Sequence, residues 1–295
     1  MSRIAIEGFR AVTSAEGFGD LDARLPAKNS LRRASESGKA AVAAAGESLR
    51  GAGLAISDRV GVYVGEQQVP LDYTAQFLEA TYRAGPRLAS PLLFSESVAN
   101  NAATHLSLTL GFTGALQTFI GSRVAGIQAV AAAREDLEAG TVDAGLVVVL
   151  SFAHAMTAQA YASLYFPRRR GSALPPLPLL NGAAAFVVRR GVGGREILHA
   201  ATCCAGLERS QQARAAGRLV GESGITAATA STFRFAHERS LGILREALPK
   251  IEPPPDLGGE AFALDPFLRL RNGADTVLVL GEDGTAGLIA LARNC

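Results

Sequence analysis

Residues 114–140, GALQTFIGSRVAGIQAVAAAREDLEAG, decide the fold of this chain. The run 116–120, LQTFI, is rich in β-favouring residues and predicts a mostly buried strand. From Arg123 onward, apolar residues recur at three- and four-residue spacing, which predicts a long Ala-rich helix. Ser122 is a suitable residue to cap its start, and Gly140 is suited to end it. The stretch therefore reads as a strand, a tight corner and a helix, which is the building unit of an α/β protein.

The corner carries an arginine, Arg123, at the first predicted helical position. An arginine stays protonated and has no acceptor, so it cannot act as a nucleophile, and a positive charge at a helix N-terminus opposes the helix dipole. One interpretation is that its guanidinium extends to solvent at a cost below about 1 kcal/mol. The other is that it binds an anion supplied from elsewhere in the chain, by a partner or by a ligand.

Composition limits the class of protein. The chain has 295 residues, a formal charge of +2 and a pI near 8.5, which does not indicate a dedicated nucleic-acid binder. Three cysteines without a recognisable signal peptide predict a reducing, cytoplasmic location. The longest apolar run, 144–153, is too short to span a bilayer. Metal-ligand spacings, a phosphate loop and a dinucleotide fingerprint are all missing, so neither metal nor cofactor is expected.

The rest of the chain alternates between strand-like and helix-like segments, which predicts α/β layers around a mixed sheet. Strands are predicted at 3–13, 59–65, 142–152, 182–189, 196–204, 275–280 and 285–292, and helices at 30–52, 67–84, 98–110 and 233–248. Two hairpins are expected, one joining 182–189 to 196–204 and the other turning at 281–284. The segment 165–180 is expected to be a surface loop, and 210–231 shows little periodicity.

Several segments, taken in order, resemble the β-ketoacyl-acyl-carrier-protein synthases. RRASESGKAAVAAAGESLRGAGL (32–54) and RVGVYVG (59–65) look like the N-terminal half of that family. LFSESVANNAATHLSLTLGFTGALQTF (93–119) is similar to the stretch before the family's nucleophile, and GEDGTAGLIAL (281–291) looks like a degraded gate loop. The resemblance implies an α/β fold with a thiolase-like layered α-β-α architecture.

The resemblance also implies a domain organisation. Residues 1–295 are expected to form a single ketosynthase-like domain. Residues 1–190 would be its N-terminal thiolase half, and residues 191–295 a C-terminal half that is truncated.

This chain departs from the family where catalysis is expected. Counting back from Gly140 places the family's nucleophilic cysteine on Arg123. The two later histidine motifs have no counterpart within 205–275, and the gate's phenylalanine and second glycine fall on Glu282 and Asp283. The resemblance therefore implies a chain without catalytic residues of its own.

An inactive ketosynthase relative resembles the chain-length factor of type II polyketide systems. That resemblance implies a heterodimer with a catalytic ketosynthase, acting on an acyl carrier protein in polyketide or fatty-acyl elongation, with neither nucleic acid nor membrane as a partner. The residues expected at the acyl tunnel or subunit interface are Leu71, Phe77, Leu116, Thr118, Phe119, Ile120 and Arg123. For Leu71 and Phe77 taken one by one, ordinary core packing is the favoured interpretation. Docking of the carrier protein is expected at Arg168, Arg169 and Arg170, unless these form only a solvated loop.

Two other functions stay open at this point. In the first, the chain is a decarboxylating relative in which Arg123 holds an anionic thioester carboxylate. In the second, it is a catalytically silent acyl-binding or scaffold protein that forms a homodimer.

Overall fold

The fold was obtained as a computed structural model. It describes residues 3–293 with the exception of 17, 19–20, 26–30, 32–33, 69, 166–177, 192, 233–235, 254–255 and 258–259. The arginines predicted to dock a carrier protein, Arg168–Arg170, lie outside the described residues.

Strands and helices alternate along the described chain. The strands are β1 (Ile4–Thr13), β2 (Val60–Gln67), β3 (Leu116–Ile120), β4 (Ala144–Ser151), β5 (Gly182–Arg190), β6 (Arg195–Cys204), β7 (Ala228–Thr232), β8 (Ile251–Glu252), β9 (Thr276–Leu280) and β10 (Thr285–Leu291). The α-helices are α1 (Leu21–Arg24), α2 (Glu36–Ala52), α3 (Leu71–Ala84), α4 (Pro91–Ser97), α5 (Asn101–Leu110), α6 (Ala125–Ala139), α7 (Ala155–Tyr165), α8 (Arg209–Ser223), α9 (His237–Ala247) and α10 (Asp265–Arg271).

One mixed sheet contains all these strands, in the order β3-β2-β4-β5-β1-β6-β10-β9-β7-β8. Each half contributes five strands, β1–β5 or β6–β10, which can be counted in chain order within the half. From either end of the sheet inward, the order is the third, second, fourth, fifth and first strand of the half. The two halves therefore share one plan and meet where β1 pairs with β6. The second half fits this plan into residues 195–291, against 4–190 for the first. Its predicted shortening therefore affects the connections, while the five strands are kept.

The apolar residues form three main cores that divide the molecule into layers. The first lies between α2, α5 and the outer face of β2, β4 and β5. The second surrounds α6 and α10, between the inner faces of the two halves of the sheet. The third lies between α8, α9 and the outer face of the second half. The layers are thus helix, sheet, helix, sheet and helix, with α6 in the centre.

Close contact between α6 and β2 depends on two glycines. A Cβ atom on Gly65 would lie 2.6 Å from Cα of Gly126, and one on Gly126 would lie 2.4 Å from the Phe267 ring. Side chains at these positions would push α6 off the sheet. The start of α6 is therefore held tightly against the carboxyl end of β2.

Several local predictions need correction. Gly140 ends α6 in the left-handed conformation as expected, but the N-cap residue is Val124, because the Ser122 hydroxyl is bonded to Thr285 instead. The hairpin expected between β5 and β6 is wrong, because β1 lies between them and pairs with both. The second predicted hairpin is confirmed by antiparallel pairing of β9 with β10.

Two segments without a clear periodic pattern are helical. Residues 91–97, which lie between the predicted helices 67–84 and 98–110, form α4, with Ser90 as its N-cap. The poorly periodic 210–231 contains α8 and β7. The helix predicted at 67–84 begins later, at Leu71, as α3. Gln67 is instead the last residue of β2.

Candidate functional site

Arg123 is fully buried at the head of α6. Its Nη2 donates to Glu260 Oε1 at 2.5 Å and to Glu282 Oε1 at 3.3 Å. Its Nη1 donates to the carbonyl oxygen of Phe262 at 3.3 Å and lies 3.7 Å from Asp265 Oδ2. The guanidinium therefore does not extend to solvent. It binds anions supplied from elsewhere in the same chain.

The cluster continues beyond Arg123. Asp265 also binds Arg269 through two hydrogen bonds and accepts one from the Ser231 hydroxyl. These residues come from four separate places: the corner before α6, the end of β7, the segment 260–269 that leads into and through α10, and the β9–β10 loop. We call Arg123, Glu260, Asp265, Arg269 and Glu282 the ion cluster.

Burial and charge act against each other in the ion cluster. Burial favours the neutral form of Arg123, but the charges of Glu260, Glu282 and Asp265 outweigh this and raise its pKa above the ordinary value. Burial raises the pKa of Glu282, which the charge of Arg123 only partly offsets. Two positive groups therefore face three carboxyl groups, and burial favours the protonated form of Glu282.

The cluster also holds strained backbone. Phe262 is buried and has a positive φ of 45°, a conformation that bulky residues rarely adopt. Its N–H donates to Glu260 Oε1 at 2.9 Å, and its carbonyl accepts from Arg123. Such a conformation costs about 1–3 kcal/mol and persists only where neighbouring contacts fix it. The two ends of the Arg123–Glu260 pair supply those contacts.

The β9–β10 loop, residues 281–284, is attached to the corner before α6. Ser122 Oγ and Thr285 Oγ1 lie 2.6 Å apart, and Thr285 Oγ1 also donates to Asp283 Oδ1 at 2.6 Å. Together with the Arg123–Glu282 contact, these bonds fix the loop over the start of the helix. A cavity of about 270 Å³ adjoins it on the α8–α9 side, lined by Leu207, Gln212, Ser240, Ile243, Glu282 and neighbouring residues.

A second group of predicted residues lies at the edge of the sheet. β3 is the terminal strand of the first half, and Leu116 and Ile120 are 44% and 52% exposed, so the expectation of a mostly buried strand is wrong. Thr118 and Phe119 are half-buried. β-favouring residues suit an edge strand as well as a central one. Here β3 has a parallel partner, β2, on one side only.

The exposed apolar residues continue from β3 onto three helices. β3 contacts α5, α5 contacts α4, and α4 contacts α3, where Phe77 packs against Phe94 with ring centroids 5.5 Å apart. Leu71 and Phe77 are half-buried, and α3 has no fully buried residue. We call this face the edge surface; its exposed apolar residues are Leu78, Tyr82, Leu92, Phe94, Leu108, Leu116 and Ile120.

The structure thus separates the predicted site residues into two places. Leu71, Phe77 and the β3 residues belong to the edge surface, whereas Arg123 is an interior residue that contacts acidic residues of its own chain. Its expected place at a tunnel wall or subunit interface stays a prediction. The acidic partners Glu260 and Asp265 were not predicted. The signal that could have found them is the need of a buried guanidinium for carboxylates.

Metal sites and membrane-spanning helices are absent from the described part of the chain. There, no group of His, Cys, Asp and Glu residues has an arrangement that could hold a metal ion. None of the described helices combines the length and the apolar character needed to cross a membrane.

Similar folds occur among solved structures. The structure titled "The ishigamide ketosynthase/chain length factor" has a TM-score of 0.75 and 17% identity, over 99% of this chain and 100% of that one. The structure of a type II polyketide synthase acyl-carrier protein in complex with its ketosynthase has a TM-score of 0.72 and 15% sequence identity, over 99% of both chains. A β-ketoacyl synthase from Burkholderia phymatum STM815 has a TM-score of 0.68 and 17% sequence identity, over the whole of both chains. The layered fold is therefore the thiolase-like one that the resemblance implied.

The family is shown by the sequence itself. Residues 10–168 match the model of the β-ketoacyl synthase N-terminal domain, which is more than half of the chain. The protein therefore belongs to the β-ketoacyl synthase family. No curated protein matches its sequence.

Proposed function

We propose that this chain is a non-catalytic, chain-length-factor-like subunit. It pairs with an active ketosynthase and helps to form the acyl tunnel in which a polyketide or fatty-acyl chain grows on an acyl carrier protein. The observation that carries the proposal is Arg123, which is fully buried and ion-paired where the family resemblance places the nucleophilic cysteine.

Covalent catalysis at the head of α6 needs a nucleophile that can be deprotonated and a group that activates it. Arg123 offers neither, and its neighbours Glu260 and Asp265 are occupied with the guanidinium and with Arg269. The cysteines of the whole sequence are at 203, 204 and 295, so none belongs to this corner. The ion cluster thus supports a structural role for the site.

The edge surface supports pairing with another subunit. The backbone groups of successive residues along β3 point alternately to its two sides. The Gly121 N–H donates to the Glu66 carbonyl oxygen, and the Ala115 carbonyl oxygen accepts from the Val62 N–H. The backbone groups of the odd-numbered residues therefore face β2. Thr118 and its even-numbered neighbours therefore direct their backbone groups toward the open edge. The other end of the sheet is the two-residue strand β8, so β3 is the longer of the two free edges.

The decarboxylating alternative is disfavoured by the same contacts. Arg123 could hold the carboxylate of a malonyl group only by giving up its contact with Glu260 or Glu282, so a further negative group would enter a site that is already rich in buried carboxyl groups. A homodimeric scaffold would use the same edge surface, so it is tested together with the heterodimer. Carrier-protein docking at Arg168–Arg170 remains part of the proposal.

Co-expression with a ketosynthase encoded in the same gene cluster tests this function. We expect a stable 1:1 complex that survives size-exclusion chromatography. Acyl groups should be added to the ketosynthase only when this chain and the ketosynthase are mixed together with acyl carrier protein. Intact-mass spectrometry should show no acyl group on this chain. A homodimer indifferent to the ketosynthase would support the scaffold, and malonyl turnover by the isolated chain would support the enzyme.

A further inference from the structure

The cavity of about 270 Å³ beside the β9–β10 loop lies in the second half of the molecule, between α8 and α9. Its volume corresponds to about nine molecules of liquid water. It is placed where two parallel strands end, because Leu280, the last residue of β9, and Ala236, shortly after the end of β7, both line it. Ligand sites of α/β sheets lie outside the carboxyl ends of such strands.

Two uncharged polar side chains face this cavity. Gln212 of α8 and Ser240 of α9 both line it, and they are only 7% and 9% exposed. Neither side chain forms a hydrogen bond to a residue that the structure describes. Their polar atoms are not among the fully enclosed ones, so the amide and the hydroxyl point into open space. Because buried polar side chains nearly always have a partner, these two groups indicate one that enters the cavity.

Most of the remaining wall is apolar. Leu207, Ala236, Ile243 and Leu280 contribute to it. Ile243 and Leu280 are buried, whereas Leu207 is 68% exposed, so the cavity opens to solvent on that side. An apolar wall with a few convergent polar groups is typical of small-molecule sites. Water could bond to the polar groups, but a ligand with an apolar body would also remove the apolar wall from water.

The charges around the cavity favour an uncharged ligand. Glu282 lines one side, with its Oε1 bonded to Arg123 and its Oε2 enclosed without a partner. An anion would therefore enter beside the carboxyl groups of the ion cluster, and a cation would meet the exposed Arg239, which also lines the cavity. An amide group carries no charge and offers both donors and an acceptor, so it can form two reciprocal hydrogen bonds with the Gln212 amide.

We propose that this cavity binds a small uncharged molecule that carries an amide group on an apolar body. The amide of the ligand bonds to Gln212 and Ser240, and its apolar body packs against Ile243 and Leu280. The inference is independent of the proposed function, because the cavity shares no residue with the edge surface.

Benzamide is the probe, because it combines an amide with an apolar ring. Isothermal titration calorimetry of the full chain should show saturable binding to one site. Benzoate and benzamidine have nearly the same shape but carry a negative and a positive charge, and each should bind at least about tenfold more weakly. Hydrogen-exchange mass spectrometry should show that benzamide slows exchange in the segments 207–212, 236–243 and 280–282 and leaves the edge surface unchanged.

Variants of the polar groups locate the contact. Gln212→Leu keeps a side chain of similar size without the amide, and it should weaken benzamide binding about tenfold, as expected for the loss of one or two hydrogen bonds. Ser240→Ala should weaken binding about threefold, for the loss of one weaker hydrogen bond. Gln211→Leu is the matched control, because Gln211 is the adjacent glutamine of α8 and does not line the cavity. It should bind benzamide as the wild type does.

Every result of these measurements supports or overturns the inference. Absence of saturable benzamide binding to the folded wild type overturns it, and so does equally tight binding of benzoate or benzamidine. Equal affinities of the wild type, Q212L and S240A, all folded by circular dichroism, also overturn it. If Q212L does not fold, S240A and the hydrogen exchange of the wild type decide, since protection outside the three segments would contradict the site. Subunit pairing is measured separately, so failure here leaves the proposed function intact.

Discussion

Arg123 neutralises carboxyl groups that would otherwise face one another inside the protein. Glu260 and Asp265 are both buried, and each lies within 4 Å of the guanidinium. A buried ion pair adds little net stability, because both charges lose their hydration, but removing one partner leaves an uncompensated charge. The main effect of Arg123 is therefore to prevent an uncompensated buried charge, and not to add net stability.

Replacing Arg123 by alanine should lower the free energy of unfolding by about 3–5 kcal/mol. The reason is that Glu260 and Glu282 stay buried without their cation. Urea denaturation followed by circular dichroism measures the loss. Arg134→Ala is the control, because Arg134 lies in α6, the helix that follows Arg123, but pairs with Glu138 at the surface, and it should cost less than about 1 kcal/mol. Equal losses in the two variants would contradict the structural role of Arg123.

Restoring a thiol should not restore catalysis. In Arg123→Cys, the thiol is much shorter than the guanidinium side chain, and Glu260 and Glu282 stay buried nearby without the arginine's charge; negative groups nearby raise the pKa of a thiol and keep it unreactive. We expect no acyl adduct by intact-mass spectrometry after incubation with acyl-loaded carrier protein. A mass increase mapped to position 123 would show that the arginine is the only obstacle to acylation.

Sequence reasoning reached part of this site. The oddity of an arginine at a helix start, and an anion elsewhere in the chain as one explanation, follow from residue chemistry alone. The identity of the acids does not, because Glu260 is 137 residues away from Arg123 and lies in an irregular segment.

At the scale of elements, β3 shows what a strand pattern can and cannot specify. The β-favouring run LQTFI predicted the bounds of the strand correctly. Its place at the end of the sheet depends on the crossover connections, which no local pattern encodes. The short helix α4 was missed for a related reason, since about two turns give too little periodicity to recognise.

Thr118→Pro should abolish subunit pairing while leaving the chain folded. The Thr118 N–H faces the open edge, so its loss removes a hydrogen bond to a partner strand and none to β2. Sedimentation velocity with the co-expressed ketosynthase should show an at least hundredfold weaker complex, roughly the loss of 3 kcal/mol. Leu207→Lys changes an exposed leucine outside the edge surface and should leave the complex unchanged. Pairing that survives T118P would exclude β3 as the pairing strand.

The whole molecule consists of two halves with one strand order, and this symmetry was not visible in the sequence. Helical and strand patterns identified most elements of the first half, where the connections are long and regular. In the second half, the irregular segment before β7 hid α8, and the shared plan appears only when strand pairing is known. The family resemblance, however, was carried by ordered motifs and did not need the repeat.

The stability of the isolated chain should fall as the pH rises through the range set by Glu66. Burial raises its pKa to about 8 in the folded protein, above the ordinary value of 4.5, so the folded state binds the extra proton between these values. Its contribution is therefore fully favourable below pH 4.5 and lost as the pH approaches 8, by at most about 5 kcal/mol. Urea unfolding of wild type and Glu66→Gln from pH 5 to 9 measures this. Parallel curves would contradict it.

The contrast between the two ends of the sheet has a consequence for the living cell. Under the proposed function, a copy made without its ketosynthase partner presents a bare β-strand and uncovered leucine, tyrosine and phenylalanine side chains, which are features that promote aggregation. Such orphans would be precipitated or degraded by proteases. We therefore expect the two genes to be translated in matched amounts, and the yield of intact protein to follow the scarcer chain.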